Sequence, residues 1–212
     1  MAPLPPSREE RSALCDLMLA LGPDAPTLCE GWSAADLAAH LVIRERQPLA
    51  SPGIILGGPF RAALERAMAT TRARPFEELV ASIRSGPPLL WRPLDPLVNL
   101  HELFVHHEDL RRGSGSEAPR PAAQIRDTEE AIWRTLGRGS RLLARSLGGI
   151  GLDLVDPAGR VIHARRGAPL AVLSGRPGEV LLYLMGRKAA SQTKVTGDER
   201  AAEVLRSARL GV

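Results

Sequence analysis

His101-Glu102-Leu103-Phe104-Val105-His106-His107-Glu108-Asp109-Leu110-Arg111-Arg112 holds three of the five histidines of the chain, with acids beside them. Zinc proteases place two histidines four apart on one helix face, in the pattern H-E-x-x-H. His101 and His106 are five apart, which sets them about 140° apart around a helix, so they do not readily share a metal. Glu102 and His106 are four apart and do share a face. Glu102, His106 and Asp109 fall within about 60° of one another, flanked by Val98 and Val105 on one side and by Leu103 and Leu110 on the other. His101, His107, Glu108 and Arg111 point elsewhere. The Glu102–His106 pair therefore needs a partner from another element.

A second stretch repeats the pattern. Ser33 caps a helix predicted from Ala34 to about Arg46, with Asp36 three positions on as the capping acid. On this helix His40 sits between Leu37 and Ile43, in line with Asp36, Arg44 and Gln47. Polar groups in the middle of an apolar face cost free energy if buried without partners. Either that face is not buried or the polar groups have a task. About 60 residues separate the two helices, enough to turn both faces inward in a helical bundle.

The remaining chain supplies the other elements. Ser7 and Glu10 read as a capping box that opens a helix ending near Leu21. Pro48–Pro59 is a Pro/Gly-rich loop, followed by a helix from Phe60 to about Thr71 and a short one opened by Pro75. Asp95-Pro96 begins the helix of the opening stretch, and Gly113 ends it. A long helix is expected from Ala122 to about Leu147, broken near Gly137–Gly139. The period then changes to two. Ile150–Val155 and Arg160–Ala164 flank an Asp156–Gly159 turn as a β-hairpin, and Leu170–Leu173 reads as a third strand. A helix over Gly178–Ala190, a strand over Gln192–Thr196 and a final helix over Asp198–Ala208 complete the reading. The fold class is α+β, with a helical domain over 1–147 and a small α+β domain over 148–212.

Composition narrows the function classes. A pI of 9.8 accompanies a formal charge of only +4. The arginines are interspersed with acids, and aromatics make up only 3% of the chain, too few for a base-stacking surface, so nucleic acid is not an expected partner. No apolar run is long enough to span a membrane. The N-terminal residues do not read as a secretion signal, which makes the cytoplasm the expected compartment. Cys15 and Cys29 are the only cysteines and form no C-x-x-C; in the cytosol such residues are free thiols.

His40, Glu102 and His106 are the proposed ligands of a divalent metal. Two imidazoles and one carboxylate with a position left open describe a catalytic zinc site, and the same donors fit Fe(II), Ni(II) or Mn(II). Asp36 and Asp109 are each either an outer partner of a ligating histidine or a plain structural acid. Singly, His40 also reads as a hydrogen-bonded core histidine, and Glu102–His106 as an ordinary helical ion pair.

Thr27-Leu-Cys-Glu-Gly-Trp-Ser-Ala-Ala-Asp-Leu-Ala-Ala-His-Leu-Val-Ile-Arg44 resembles the N-terminal signature of mycothiol-dependent maleylpyruvate isomerase-like proteins, which belong to the DinB-like superfamily of metal-binding four-helix bundles. Asn99–Arg112 resembles their second signature, in which a Glu and a His four apart complete a three-ligand site. The resemblance covers most of residues 7–147 and implies the same trio, His40, Glu102 and His106. Leu182-Tyr-Leu-Met-Gly-Arg187 resembles a segment of their second domain whose Arg serves catalysis or thiol binding, which carries that role to Arg187. The implied cofactors are zinc and the low-molecular-weight thiol mycothiol. The implied reaction is thiolate attack on a small electrophilic substrate, by transfer or isomerisation, with Arg44 pairing a carboxylate of thiol or substrate or else standing as a solvated helix-end charge. A metal-stabilised stress-response protein without turnover and a hydrolase using metal-bound water are the other readings. The sequence sets no oligomeric state.

Overall fold

The computed structural model describes residues 4–47, 61–88 and 99–211. The loop Pro48–Pro59 and the helix start at Asp95-Pro96 lie outside them. The chain divides into two compact units, Met1–Glu117 and Ala118–Val212, and the combination of helices with a small sheet bears out the α+β class.

Five helices are described in the first unit. They are α1 (Pro6–Leu21), α2 (Ala34–Arg46), α3 (Arg61–Arg72), α4 (Phe76–Arg84) and α5 (Leu100–Gly113). Helix α1 packs against α4 and α5, and α2 against α3 and α4. One core is shared by four of them: Leu14 and Met18 from α1, Leu37 and Leu41 from α2, Leu79 and Ile83 from α4, and Leu103 and Leu110 from α5. Within each helix these residues recur at four or seven positions, so each helix turns one apolar stripe to the same interior.

Two helix ends are built differently from expectation. Pro6 occupies the first turn of α1 and no side chain caps that end. The fixed φ of proline starts the helix, which leaves Ser7 and Glu10 buried inside it. Ser33, by contrast, caps α2 with Asp36 in a complete capping box. Gly113 ends α5 without a positive φ. A Cβ there would lie 2.5 Å from the Thr27 backbone, so glycine is needed for the close approach of the loop before α2.

The second unit contains α6 (Arg126–Leu143), β1 (Gly151–Val155), β2 (Val161–Arg165), β3 (Leu170–Ser174), α7 (Pro177–Leu184), a 3-10 turn at Lys188–Ala190, β4 (Lys194–Gly197) and α8 (Glu199–Ser207). The sheet order is β2-β1-β3-β4. The hairpin pairs β1 with β2 antiparallel, β3 joins β1 in parallel, and β4 pairs β3 antiparallel. Helix α6 packs on β2 and α7, and α8 on β3 and β4. Helix α6 buries Ile132, Trp133 and Leu136 and runs unbroken through Gly137 and Gly139. The division expected near residue 148 thus falls inside the second unit, because α6 buries its apolar stripe on the sheet side of the division. Among the described residues, no helix is long and apolar enough to cross a membrane.

Candidate metal centre

Helices α2 and α5 bring the two polar stripes together. One ligand atom from each of His40, Glu102 and His106 lies within 4.8 Å of the others. His106 Nε2 is 3.5 Å from Glu102 Oε2, and the His40 and His106 rings meet edge to face with centroids 5.0 Å apart. Trp32, in the loop before α2, has its ring centroid 5.2 Å from that of His40. Donors arranged tetrahedrally at about 2.1 Å around one zinc ion stand about 3.4 Å apart. The His106–Glu102 pair, at 3.5 Å, already has that spacing; a pair at the 4.8 Å limit needs an approach of about 1.4 Å, and the nitrogen–oxygen donor set is the kind such an ion takes.

The surroundings are asymmetric. Both histidines are buried, and the remaining exposure falls on Glu102 and Arg44, each with a side chain 20% accessible. Arg44 Nε lies 3.3 Å from Glu102 Oε2, and its guanidinium also donates to the Asn99 side chain. On the opposite side Asp109 is fully buried. Its Oδ2 is 3.0 Å from His106 Nδ1 and accepts from the Cys29 thiol at 3.3 Å. Cys29, His106 and Asp109 form a second donor group that shares the His106 ring with the first.

Charge follows this geometry. Burial raises the pKa of Glu102, but the hydrogen bond to His106 and the charge on Arg44 outweigh it and hold the carboxyl down at about 2. Burial lowers that of His106, but hydrogen bonds with Asp109, Cys29 and Glu102 lift it well above its usual 6.5. Without a metal both shifts run toward the charged forms, the imidazolium of His106 and the carboxylate of Glu102.

Other residues singled out from the sequence have different surroundings. Asp36 binds the Ser33 backbone and hydroxyl and takes a 2.9 Å ion pair from Arg72 on α3. It serves the helix cap and the α2–α3 contact. His107, on the other side of α5, places Nδ1 2.7 Å from Glu10 of α1, and both are buried. His101 is half-buried. Arg187 lies in the second unit, where it donates to the Met185 carbonyl at 2.6 Å. The part of Asn99 in holding Arg44 was not foreseen; only its place in the second quoted motif hinted at it. Trp32 belongs to the first motif, and only its contact with His40 in the fold gives it a part.

No family model and no curated protein matches the chain. Two solved structures share its fold. One is the mycothiol-dependent maleylpyruvate isomerase, 20% identical with a TM-score of 0.57, and the other is a histidine-to-alanine variant of it, 19% identical with a TM-score of 0.58. In each case 91% of this chain and 91% of the other are covered. The resemblance read from the two motifs is borne out in the fold, across both units.

Proposed function

We propose that this protein is a metal-dependent enzyme that uses a low-molecular-weight thiol such as mycothiol to transfer to, or isomerise, a small electrophilic substrate. One observation carries the reading: His40 from α2 and Glu102 and His106 from α5, about 60 residues away in sequence, converge with donor atoms within 4.8 Å. The first unit is read as a DinB-like bundle built around them, and zinc as the metal that best suits two imidazoles and a carboxylate. When bound, such an ion supplies a Lewis acid that lowers the pKa of a coordinating thiol, so that thiolate is available at neutral pH. The isomerases that share the fold are mycothiol-dependent by name, which supports the choice of thiol.

The residues of the chain have the following parts in this reading. His40 and His106 offer nitrogen lone pairs, and Glu102 offers an oxygen and a negative charge. Arg44 fixes the Glu102 carboxylate through its 3.3 Å contact and, being 20% exposed, presents cationic N–H groups to a carboxylate of an incoming thiol or substrate. Trp32 packs beside the buried His40 ring, with centroids 5.2 Å apart. Arg187, through its motif, is assigned thiol binding or catalysis in the second unit.

The test is metal analysis of purified protein, followed by cobalt substitution and titration with mycothiol. A stoichiometric metal lost in His40→Ala, and a thiolate-to-cobalt band on adding mycothiol, are expected. Unchanged metal content in His40→Ala sinks the ligand assignment. A cobalt spectrum unmoved by millimolar thiol, together with ester or amide hydrolysis in its absence, would replace the thiol reading with a metal–water hydrolase.

A further inference from the structure

We infer that Asp109 is a positioning residue that fixes the His106 ring with Nε2 facing Glu102 and His40, and that Cys29 supports it as a neutral thiol rather than as a metal ligand. Resting on the metal-binding reading above, this decides between two donor groups that compete for one imidazole: His40–Glu102–His106 on one side of the ring and Cys29–His106–Asp109 on the other.

The geometry decides it through the donor count. Asp109 has no exposed surface, and its Oδ2 faces both His106 Nδ1 at 3.0 Å and Cys29 Sγ at 3.3 Å. An ionised carboxylate only accepts hydrogen bonds. Both neighbours therefore have to donate: Nδ1 carries a proton and Cys29 keeps its hydrogen. A neutral imidazole protonated on Nδ1 has its lone pair on Nε2, the nitrogen 3.5 Å from Glu102 Oε2. A thiolate at Cys29 would instead set a second negative charge against a buried carboxylate, which burial makes costly. The loop that carries Cys29 is anchored independently. Leu28 N–H donates to the Asp109 carbonyl at 3.0 Å, Ser114 Oγ bonds the Pro26 carbonyl at 3.2 Å, and the absence of a side chain at Gly113 admits Thr27. The thiol is thus delivered to the far side of the ring from the ligand trio.

The experiment uses full-length protein stripped of metal by chelation and titrated with zinc against a chromogenic competitor, then with cobalt. Asp109→Ala is expected to weaken zinc binding about 10- to 100-fold, the usual cost of losing such a partner. Asp109→Asn, which keeps the volume and an acceptor oxygen, is expected to weaken it less. With 15N-labelled histidine at a pH where the rings are neutral, metal-free wild type is expected to show His106 protonated on Nδ1 and Asp109→Ala to show both tautomers. Without added thiol, the cobalt form is expected to show no thiolate band and to look the same in Cys29→Ser. Unchanged affinity and tautomer in the Asp109 variants, or a thiolate band that disappears in Cys29→Ser, overturns the inference. The metal reading itself fails by a different result, zinc affinity unmoved by His40→Ala and His106→Ala, while the tautomer measurement on metal-free protein still judges Asp109 alone.

Discussion

His106 is caught between two demands. In the metal-free chain burial disfavours its charged form, but Asp109, Cys29 and Glu102 raise it well above 6.5. As a ligand it has to give up the proton on Nε2. Metal and proton therefore compete for one nitrogen. Zinc binding is expected to release protons, seen as acidification in a weakly buffered titration, and apparent affinity is expected to rise with pH toward the raised titration of His106. The metal-free fold has the opposite dependence. A group raised on folding contributes stability that is fully present below its unfolded pKa and lost as pH climbs through the folded one, so the share of His106 is complete below about 6.5. Glu102, lowered from 4.5 to about 2, contributes above 4.5 and loses that share as pH falls toward 2. Denaturant midpoints of the chelated protein should place this pair's contribution at its maximum between about 4.5 and 6.5, and His106→Gln should flatten the alkaline side. An alkaline limb unchanged in that variant would show that His106 is not the titrating group.

At the scale of elements, the site is held by devices away from it. A side chain at position 113 would meet the Thr27 backbone at 2.5 Å, so Gly113→Ala has to push the Cys29 loop off α5. Overpacking of this kind costs about 1–3 kcal/mol, and the expected result is a lowered melting temperature together with weaker zinc binding. A melting loss with unchanged affinity would detach the loop from the centre. The α1–α5 contact depends on the buried Glu10–His107 pair. Glu10→Ala removes the carboxylate 2.7 Å from the buried His107 ring, at a cost of about 1–3 kcal/mol for a buried polar group that loses its hydrogen bond, readable as a shift in the denaturant midpoint. That pair also marks a limit of sequence reading. Glu10 three residues after Ser7 has the spacing of a capping box, and nothing local says that Pro6 starts the helix or that Glu10 reaches across 97 positions to His107. Gly113 was legible as the end of α5, but its reason, contact with Thr27, is a tertiary fact. Ser33 and Asp36 were legible because both partners of the cap lie within one turn.

For the whole molecule, what could be read was the periodicity and what could not was the partner. The ionisable stripes on α2 and α5 stand out against their leucines, and so the proposed ligand trio could be named from the sequence, before any fold. The apolar stripe of α6 is just as clear, but a stripe does not say whether it covers helices or a sheet, and here it packs on β2 and α7. The consequence is a molecule whose three proposed metal ligands, with Asp109 and Cys29, all belong to Met1–Glu117, whereas Ala118–Val212 has its own sheet and core. A ligand that binds only the folded form stabilises by RT ln(1 + [L]/Kd), about 2.7 kcal/mol at a hundredfold excess over Kd. That stabilisation reaches a residue only if its opening requires the site to open. Amide hydrogen exchange with and without zinc should therefore slow at Leu37 and Leu103, core positions of the first unit, and stay unchanged at Leu154 and Leu173 in the sheet. Equal slowing in both units would mean that the two unfold as one cooperative body and that the division at residue 117 is one of contacts alone.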